Sequence, residues 1–384
     1  MGLPPFMPQT FRLTAHQILS RYLRQAALAV LAGLAGVTWS AHAQTVTHAT
    51  AATAQAPVLL RVVGGLGNVA QFRDFEEPFW RNELPRITQG RAKAEIVPFD
   101  KAGIRAHEAL RLVQLGVMPF GTALLTAIMG TDPELAAMDL AGLNPDMATL
   151  KRSVAAFRPH FERIMRERHG IEVLAIYVYP AQVTFCTRPL KGLSDLAGRR
   201  VRISTPTQAD PIRPFGAAPV QTESAEIIPQ VRSGNVDCAI TGSMSGNAIG
   251  LHDITTHVYS GAINWGLSMF GANRAAWNAL PADLRTTLQT ALPKLEEAIW
   301  INADKQHHEG NACNTGQAGC TSGKPGRMVE VKPTPAEEQR LREVFRTSIL
   351  PSWLERCGNQ CVPVWNQLLA PVSGVKTETL PNPR

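Results

Sequence analysis

Short runs of β-branched and aliphatic residues alternate with segments of helical periodicity from Val58 onward, and this alternation restricts the chain to the α/β class. Val58–Val63, Glu95–Phe99, Glu172–Tyr179, Arg200–Ser204 and Asp237–Thr241 read as strands. Helices are expected over 71–88, 104–115, 147–169 and 224–233, with Gly116 and Gly234 ending two of them. The longest helix should begin near Pro281, because Leu284, Leu288, Leu292, Leu295 and Ile299 step by three or four along one face, and Pro293 should kink it. Such alternation predicts parallel sheets covered by helices on both faces, with ligands taken at the carboxyl ends of strands.

The first 43 residues read as an address rather than part of the fold. Arg12, Arg21 and Arg24 precede an apolar run from Ala26 to Trp39, Ala41-His42-Ala43 offers a small-x-small cleavage site, and no acidic residue occurs among them. Residues 1–43 are expected to be a signal peptide and 44–56 a disordered spacer, which places the mature chain in the periplasm. Removing three Arg lowers the net charge from +7 to +4, and no block of Lys and Arg with interleaved aromatics remains, so nucleic acid is not expected as a partner. With 45% hydrophobic and 18% charged residues the chain is not disordered, and no later apolar run is long enough to span a bilayer.

All six cysteines lie well beyond the expected cleavage point and spacer, and an even count in an exported chain favours disulfides over metal. Cys313 with Cys320, in a Gly/Asn/Ser-rich segment over 311–326, and Cys357 with Cys361 are the expected bridges. Cys186 and Cys238 are expected as unpaired core residues. His307, His308 and Glu309 beside Cys313 match no zinc spacing and read as solvated residues at a helix end. No G-x-S-x-G, H-E-x-x-H or S-x-x-K pattern occurs, and Gly242-Ser243-Met244-Ser245-Gly246 has the wrong spacing for a nucleophile elbow. Neither a metal nor a cofactor is implied, and an enzyme is the disfavoured alternative.

Two features point to an anion. Gly65-Leu66-Gly67-Asn68-Val69-Ala70 fits G-x-G-x-x-A, but no acid follows at the distance a ribose needs, so it reads as a turn offering free backbone N–H groups to a small anion. Arg199, Arg200 and Arg202 crowd a strand of five residues. The first two read as solvated edge residues, whereas Arg202, near the strand's carboxyl end, calls for an anionic partner such as a carboxylate.

The block around this strand resembles the DctP-type periplasmic solute-binding subunits of TRAP (tripartite ATP-independent periplasmic) transporters. The likeness rests on Asp195-Leu196-Ala197-Gly198-Arg199-Arg200-Val201-Arg202, Phe215-Gly216-Ala217-Ala218-Pro219-Val220, Ala225-Glu226-Ile227 and Val231-Arg232-Ser233-Gly234-Asn235-Val236-Asp237. Upstream, Glu108-Ala109-Leu110-Arg111-Leu112-Val113-Gln114-Leu115-Gly116 is similar to the family's helix before its third strand, and Asn273-Arg274-Ala275-Ala276-Trp277-Asn278-Ala279-Leu280-Pro281 resembles a further motif downstream. The pieces run in one order from Leu59 to Trp300.

The resemblance implies a two-lobed periplasmic-binding-protein fold with crossing strands and a long inter-lobe helix, lobe I being 57–180 plus 267–306 and lobe II 181–266 plus 307–384. It implies a monomer that captures a small organic acid between the lobes and hands it to TRAP membrane subunits, with Arg202 pairing the ligand carboxylate. A ligand sensor for a membrane receptor would share this fold. Three positions depart from the family pattern: Thr241 replaces an Asn, Cys238 a Gly, and Gln182 a position often held by Arg. One Arg among neutral groups suits a monocarboxylate better than a dicarboxylate. Phe72, Gln182, Ser204, Ser224, Thr241, Asn264 and Trp265 complete the candidate site; an indole at 265 either stacks on the ligand or belongs to the core.

Overall fold

The computed structural model describes residues 56–128, 130 and 132–378, so the expected signal peptide and nearly all of the spacer lie outside the described residues. Among the described residues eleven strands follow in chain order: β1 (Val58–Gly64), β2 (Ala92–Pro98), β3 (Phe120–Leu124), β4 (Ile171–Val178), β5 (Gln182–Cys186), β6 (Arg200–Ile203), β7 (Ala218–Gln221), β8 (Cys238–Gly242), β9 (His257–Asn264), β10 (Leu267–Asn273) and β11 (Val329–Val331). They form two sheets, β2-β1-β3-β10-β4 and β11-β9-β5-β8-β6-β7.

The expected all-parallel sheets are corrected to mixed ones. β1 runs parallel to β2 and β3, and β6 to β7 and β8, as βαβ crossovers require. β10 is antiparallel to β3 and β4, and β5 is antiparallel to β8 and β9. The reason is the path of the chain. From β4 it passes through Tyr179-Pro180-Ala181 into β5 of the second sheet, and from β9 it returns through Trp265-Gly266 into β10 of the first. An outgoing and a returning strand lie side by side in each sheet, so they must run in opposite directions. Gly266 takes φ +81° at the return, a conformation that side chains rarely adopt.

Two long helices brace this frame. α1 (Met147–Arg168) starts at Asp146, whose side chain accepts from Thr149 N, and buries Leu150, Val154, Phe157, Phe161 and Ile164. α2 (Ala282–Thr315) continues through Pro293 and spans both sheets. At its first half Leu284, Leu288, Leu292 and Ile299 pack with Trp80 and Phe270 of the first sheet's core, and Trp300 Nε1 donates to Ile176 O at 2.7 Å. At its second half Asn314 Nδ2 donates to Ser243 O at 3.0 Å. A Cβ at Gly310 would collide with the backbone at Ser243 and Met244, so only glycine allows this close crossing. The helix runs five residues into the stretch expected as a loop, so His307 and His308 are not at its end. His307 packs on Trp265, ring centroids 5.4 Å apart, and burial pushes its pKa down to about 4.

Three disulfides join Cys186–Cys238, Cys313–Cys320 and Cys357–Cys361. The unpaired reading of Cys186 and Cys238 is corrected: they face each other in the β5–β8 register, with Cα atoms 4.1 Å apart. Helices beyond 335 rest on both halves of the molecule. Trp353 Nε1 donates to Pro133 O at 2.8 Å, while Arg356 pairs with buried Asp210 at 2.6 Å.

Candidate functional site

β6 carries Arg200 and Arg202, Arg199 directly precedes it, and the three arginines have different fates. Arg200 pairs with Asp237 at 3.1 Å and is exposed. Arg199 donates to the carbonyls of Arg188 and Pro189 at the surface. Arg202 is 3% exposed. Its Nε donates to Thr222 Oγ1 at 3.3 Å, Nη1 to Ile240 O at 2.9 Å and Nη2 to Thr222 O at 2.8 Å. That uses three of the five N–H donors of a guanidinium. Among the described residues no carboxylate forms an ion pair with it; Glu223 supplies only a weaker attraction, and burial pushes the pKa down to about 10.

The guanidinium lies near the carboxyl ends of β6 and β7 and beside the middle of β8, in the wall of a cavity of about 260 Å³ between the two sheets. The cavity brings together Gln182, Arg202, Ser204, Ser224, Thr241 and Asn264, and takes Leu66, Asn68, Val69, Phe99 and Leu124 from the other side. Phe72 and Trp265 stand apart from it. Phe72 is 4% exposed in the core under the first sheet, and Trp265 is 1% exposed with its indole donating to Asn144 O at 3.0 Å. Both are core residues, as burying a large aromatic ring favours.

The Gly65–Gly67 turn does not offer its amides to a ligand. Gly65 N donates to Glu76 Oε2 at 2.8 Å and Gly67 N to Asp100 Oδ1 at 2.9 Å, so the protein's own carboxylates occupy them. Glu76 is fully buried beneath this turn and also accepts from Gln71 and Thr122. Burial outweighs those bonds and raises its pKa from 4.5 to about 7. A carboxyl raised in the folded state stabilises fully below its unfolded pKa, and that contribution is lost as pH rises to the folded value. Glu76→Gln should therefore remove about 3 kcal/mol of the fall in stability between pH 4.5 and 7. Urea melts across this window check it; a variant with the wild-type slope would contradict the assignment.

Sequence reasoning missed the groups behind the cavity wall. Asp139 is buried and accepts from Trp265 N at 3.1 Å, Gly266 N at 2.7 Å and Asn264 Nδ2 at 3.3 Å, fixing the returning turn. Burial raises its pKa to about 6. Asn264 Oδ1 accepts from Gln208 Nε2 at 3.0 Å, and Gln208 Oε1 accepts from Ser204 N and Oγ at 2.9 and 3.0 Å. A chain of hydrogen bonds thus runs from the cavity lip to the strand return. The buried Tyr179 hydroxyl also lines the cavity, close to the Leu66 amide and the Ser268 hydroxyl. Neither Gln208 nor Tyr179 sits in a motif, and only the assembled frame brings them here.

Two mixed sheets joined by two crossing strands, one long helix and a cavity with an unpaired buried cation define a two-lobed ligand-capture protein. The chain belongs to the bacterial extracellular solute-binding protein family 7 (DctP), whose model matches residues 75–348. The family consists of solute-binding proteins rather than enzymes. The Bordetella pertussis extracytoplasmic solute receptor DctP7, which binds pyroglutamic acid, superposes with TM-score 0.70 at 20% identity, covering 82% of this chain and 99% of its own. A TRAP solute-binding protein from Desulfovibrio salexigens with bound orotic acid gives TM-score 0.71 at 14% identity over 82% and 99%. One from Shewanella oneidensis with bound succinate gives 0.68 at 19% over 82% and 99%. At these identities the likeness concerns the fold. No curated protein sequence matches the chain.

Proposed function

We propose that this chain captures a small organic acid through a single carboxylate in the cavity beside Arg202 and delivers it, in the periplasm, to the membrane components of a TRAP transporter. The observation that carries this reading is the buried Arg202 guanidinium, held by neutral acceptors and lacking an acidic partner, in the wall of a small cavity. A cation so placed has lost water and gained no counter-charge, so an arriving carboxylate finds a strong partner with two N–H groups to spare. Gln182, Ser204, Ser224, Thr241 and Asn264 surround it with neutral polarity, which favours one carboxylate over two. Similar proteins binding pyroglutamic acid, orotic acid and succinate support an organic acid. The extracellular description of the family, and an amino terminus with the order of a secretory signal, support the compartment.

The cavity has walls from both sheets, so closing the lobes would expel water and strengthen the pairing. One charge-assisted contact is worth roughly 1.5–3 kcal/mol, against about 8 for micromolar affinity, so apolar contact with Leu66, Val69 and Phe99 must supply much of the rest. A thermal-shift panel of monocarboxylates, dicarboxylates and the matching neutral amides tests this. Monocarboxylates should raise the melting temperature, by the equivalent of about 2.7 kcal/mol at a hundredfold excess over Kd, and the amides should not. A panel in which no acid stabilises the protein, or amides do so equally, would refute the reading.

A further inference from the structure

Five side-chain amides line the cavity, those of Asn68, Gln182, Gln208, Gln221 and Asn264, and two of them are consumed within the protein. Asn264 donates to Asp139 and accepts from Gln208; Gln208 in turn accepts from Ser204. Gln182 differs. Its Nε2 donates to two backbone carbonyls at the strand crossing, Pro180 O at 3.0 Å and Trp265 O at 3.4 Å. Only the NH2 end can face two carbonyl oxygens, because the flipped amide would set oxygen against oxygen. The backbone of the crossing therefore fixes which end of Gln182 points outward. Oε1 has no protein donor among the described residues and is not sealed from the cavity, which the side chain lines.

From this we infer that the ligand carries a hydrogen-bond donor, a hydroxyl or an N–H, near its carboxylate, and that Gln182 Oε1 reads it. The inference rests on the organic-acid reading above and narrows it to one class. The hydroxyls of Ser204, Thr241 and Tyr179 can rotate to offer either a proton or a lone pair. Gln182 cannot, so it sets polarity where the hydroxyls tolerate both.

Its place on the sheet fits one small ligand. Gln182 stands opposite Gly242 on one side of β8, and Arg202 opposite Ala239 on the other. The two positions are two strands apart and offset by three residues along β8, roughly 14 Å between backbones, and the long Gln and Arg side chains both reach the one cavity across that gap. A ketone, an ether oxygen or a second carboxylate at this point would meet an oxygen and leave it unpaired.

Calorimetry on the mature wild-type protein with matched acids tests the inference. Pyroglutamate is compared with the lactone acid in which a ring oxygen replaces its N–H, and lactate with its O-methyl ether. In whichever pair binds, blocking the donor should weaken affinity about tenfold or more, because it strands a fixed acceptor. The hydroxyl and amide arms separate the two sources of donor. In Gln182→Met the same ratio should fall to within about threefold, whatever the variant's overall affinity. Equal binding of the donor-bearing and donor-blocked acids by the wild type overturns the inference and leaves the organic-acid reading intact. So does binding of propanoate or cyclopentanecarboxylate where the donor-bearing acids fail. A protein that binds none of these acids, nor any in the wider panel, overturns both.

Discussion

Arg202→Ala should weaken carboxylate binding by about 2–5 kcal/mol, a loss of roughly thirtyfold to several thousandfold, because truncation strips a buried carboxylate of its charged partner. The starting state explains the size. The guanidinium is buried, its pKa is pushed down to about 10 from 12.5, and neutral groups alone satisfy it. That depression corresponds to about 3 kcal/mol held against the charged form in the ligand-free fold. A bound carboxylate relieves this cost, whereas an alanine neither bears it nor offers relief. Two measurements separate this from general damage. Arg202→Met keeps the volume and should leave the ligand-free melting temperature unchanged or raised, while ligand-induced stabilisation disappears. Arg202→Lys should recover only part of the affinity, since an ammonium replaces a planar fork that already bonds Thr222 and Ile240. Wild-type affinity in Arg202→Ala would remove this residue from the site.

Much of the frame was legible because it follows from periodicity. The leucine ladder from Leu284 to Ile299 points to α2, and the helix expected over 147–169 is α1 (Met147–Arg168). Strand direction was not legible. Alternating strands and helices suggest parallel sheets, and only the two crossings through Tyr179-Pro180-Ala181 and Trp265-Gly266 impose antiparallel neighbours. Arg202 could be found in the sequence because an arginine in an apolar strand is costly wherever it lands. Its neighbours were harder. Phe72 reads as a site candidate and Trp265 as either a ligand-stacking ring or core in a linear reading, and their burial is decided by which face of the frame they meet. The amides of the Gly65–Gly67 turn look free in a motif, but Glu76 and Asp100 reach them from 11 and 33 residues away. Gln208 and Asp139 carry no local signature, since their role is a chain of hydrogen bonds between distant segments.

Removing the Cys186–Cys238 bridge should cost about 4 kcal/mol, the chain-entropy value for a crosslink spanning 52 residues. The same relation gives about 2 kcal/mol for Cys313–Cys320, which spans 7. In a body of this size the larger loss lowers the melting temperature by on the order of 8 °C. The bridge also explains a departure from the family pattern, which has glycine where this chain has Cys238: the residue directly opposite in β5 is Cys186. The segment enclosed carries β6, β7, Arg202 and Thr222, so one wall of the cavity hangs between the bridged strands. Cys186→Ala/Cys238→Ala should therefore melt earlier in urea and heat, by the amount given, while the folded fraction still binds the acid that the wild type binds. Arg202 keeps its partners on β8 and after β7 whenever the sheet is formed. Reduction of the wild type with a thiol should lower stability further than the variant does, because it also opens Cys313–Cys320 and Cys357–Cys361. A double variant within about 1 kcal/mol of wild type would mean that sheet pairing alone already holds the enclosed segment in the unfolded ensemble. A variant that folds normally but loses affinity would instead make the bridge part of the cavity's shape rather than of the chain's stability.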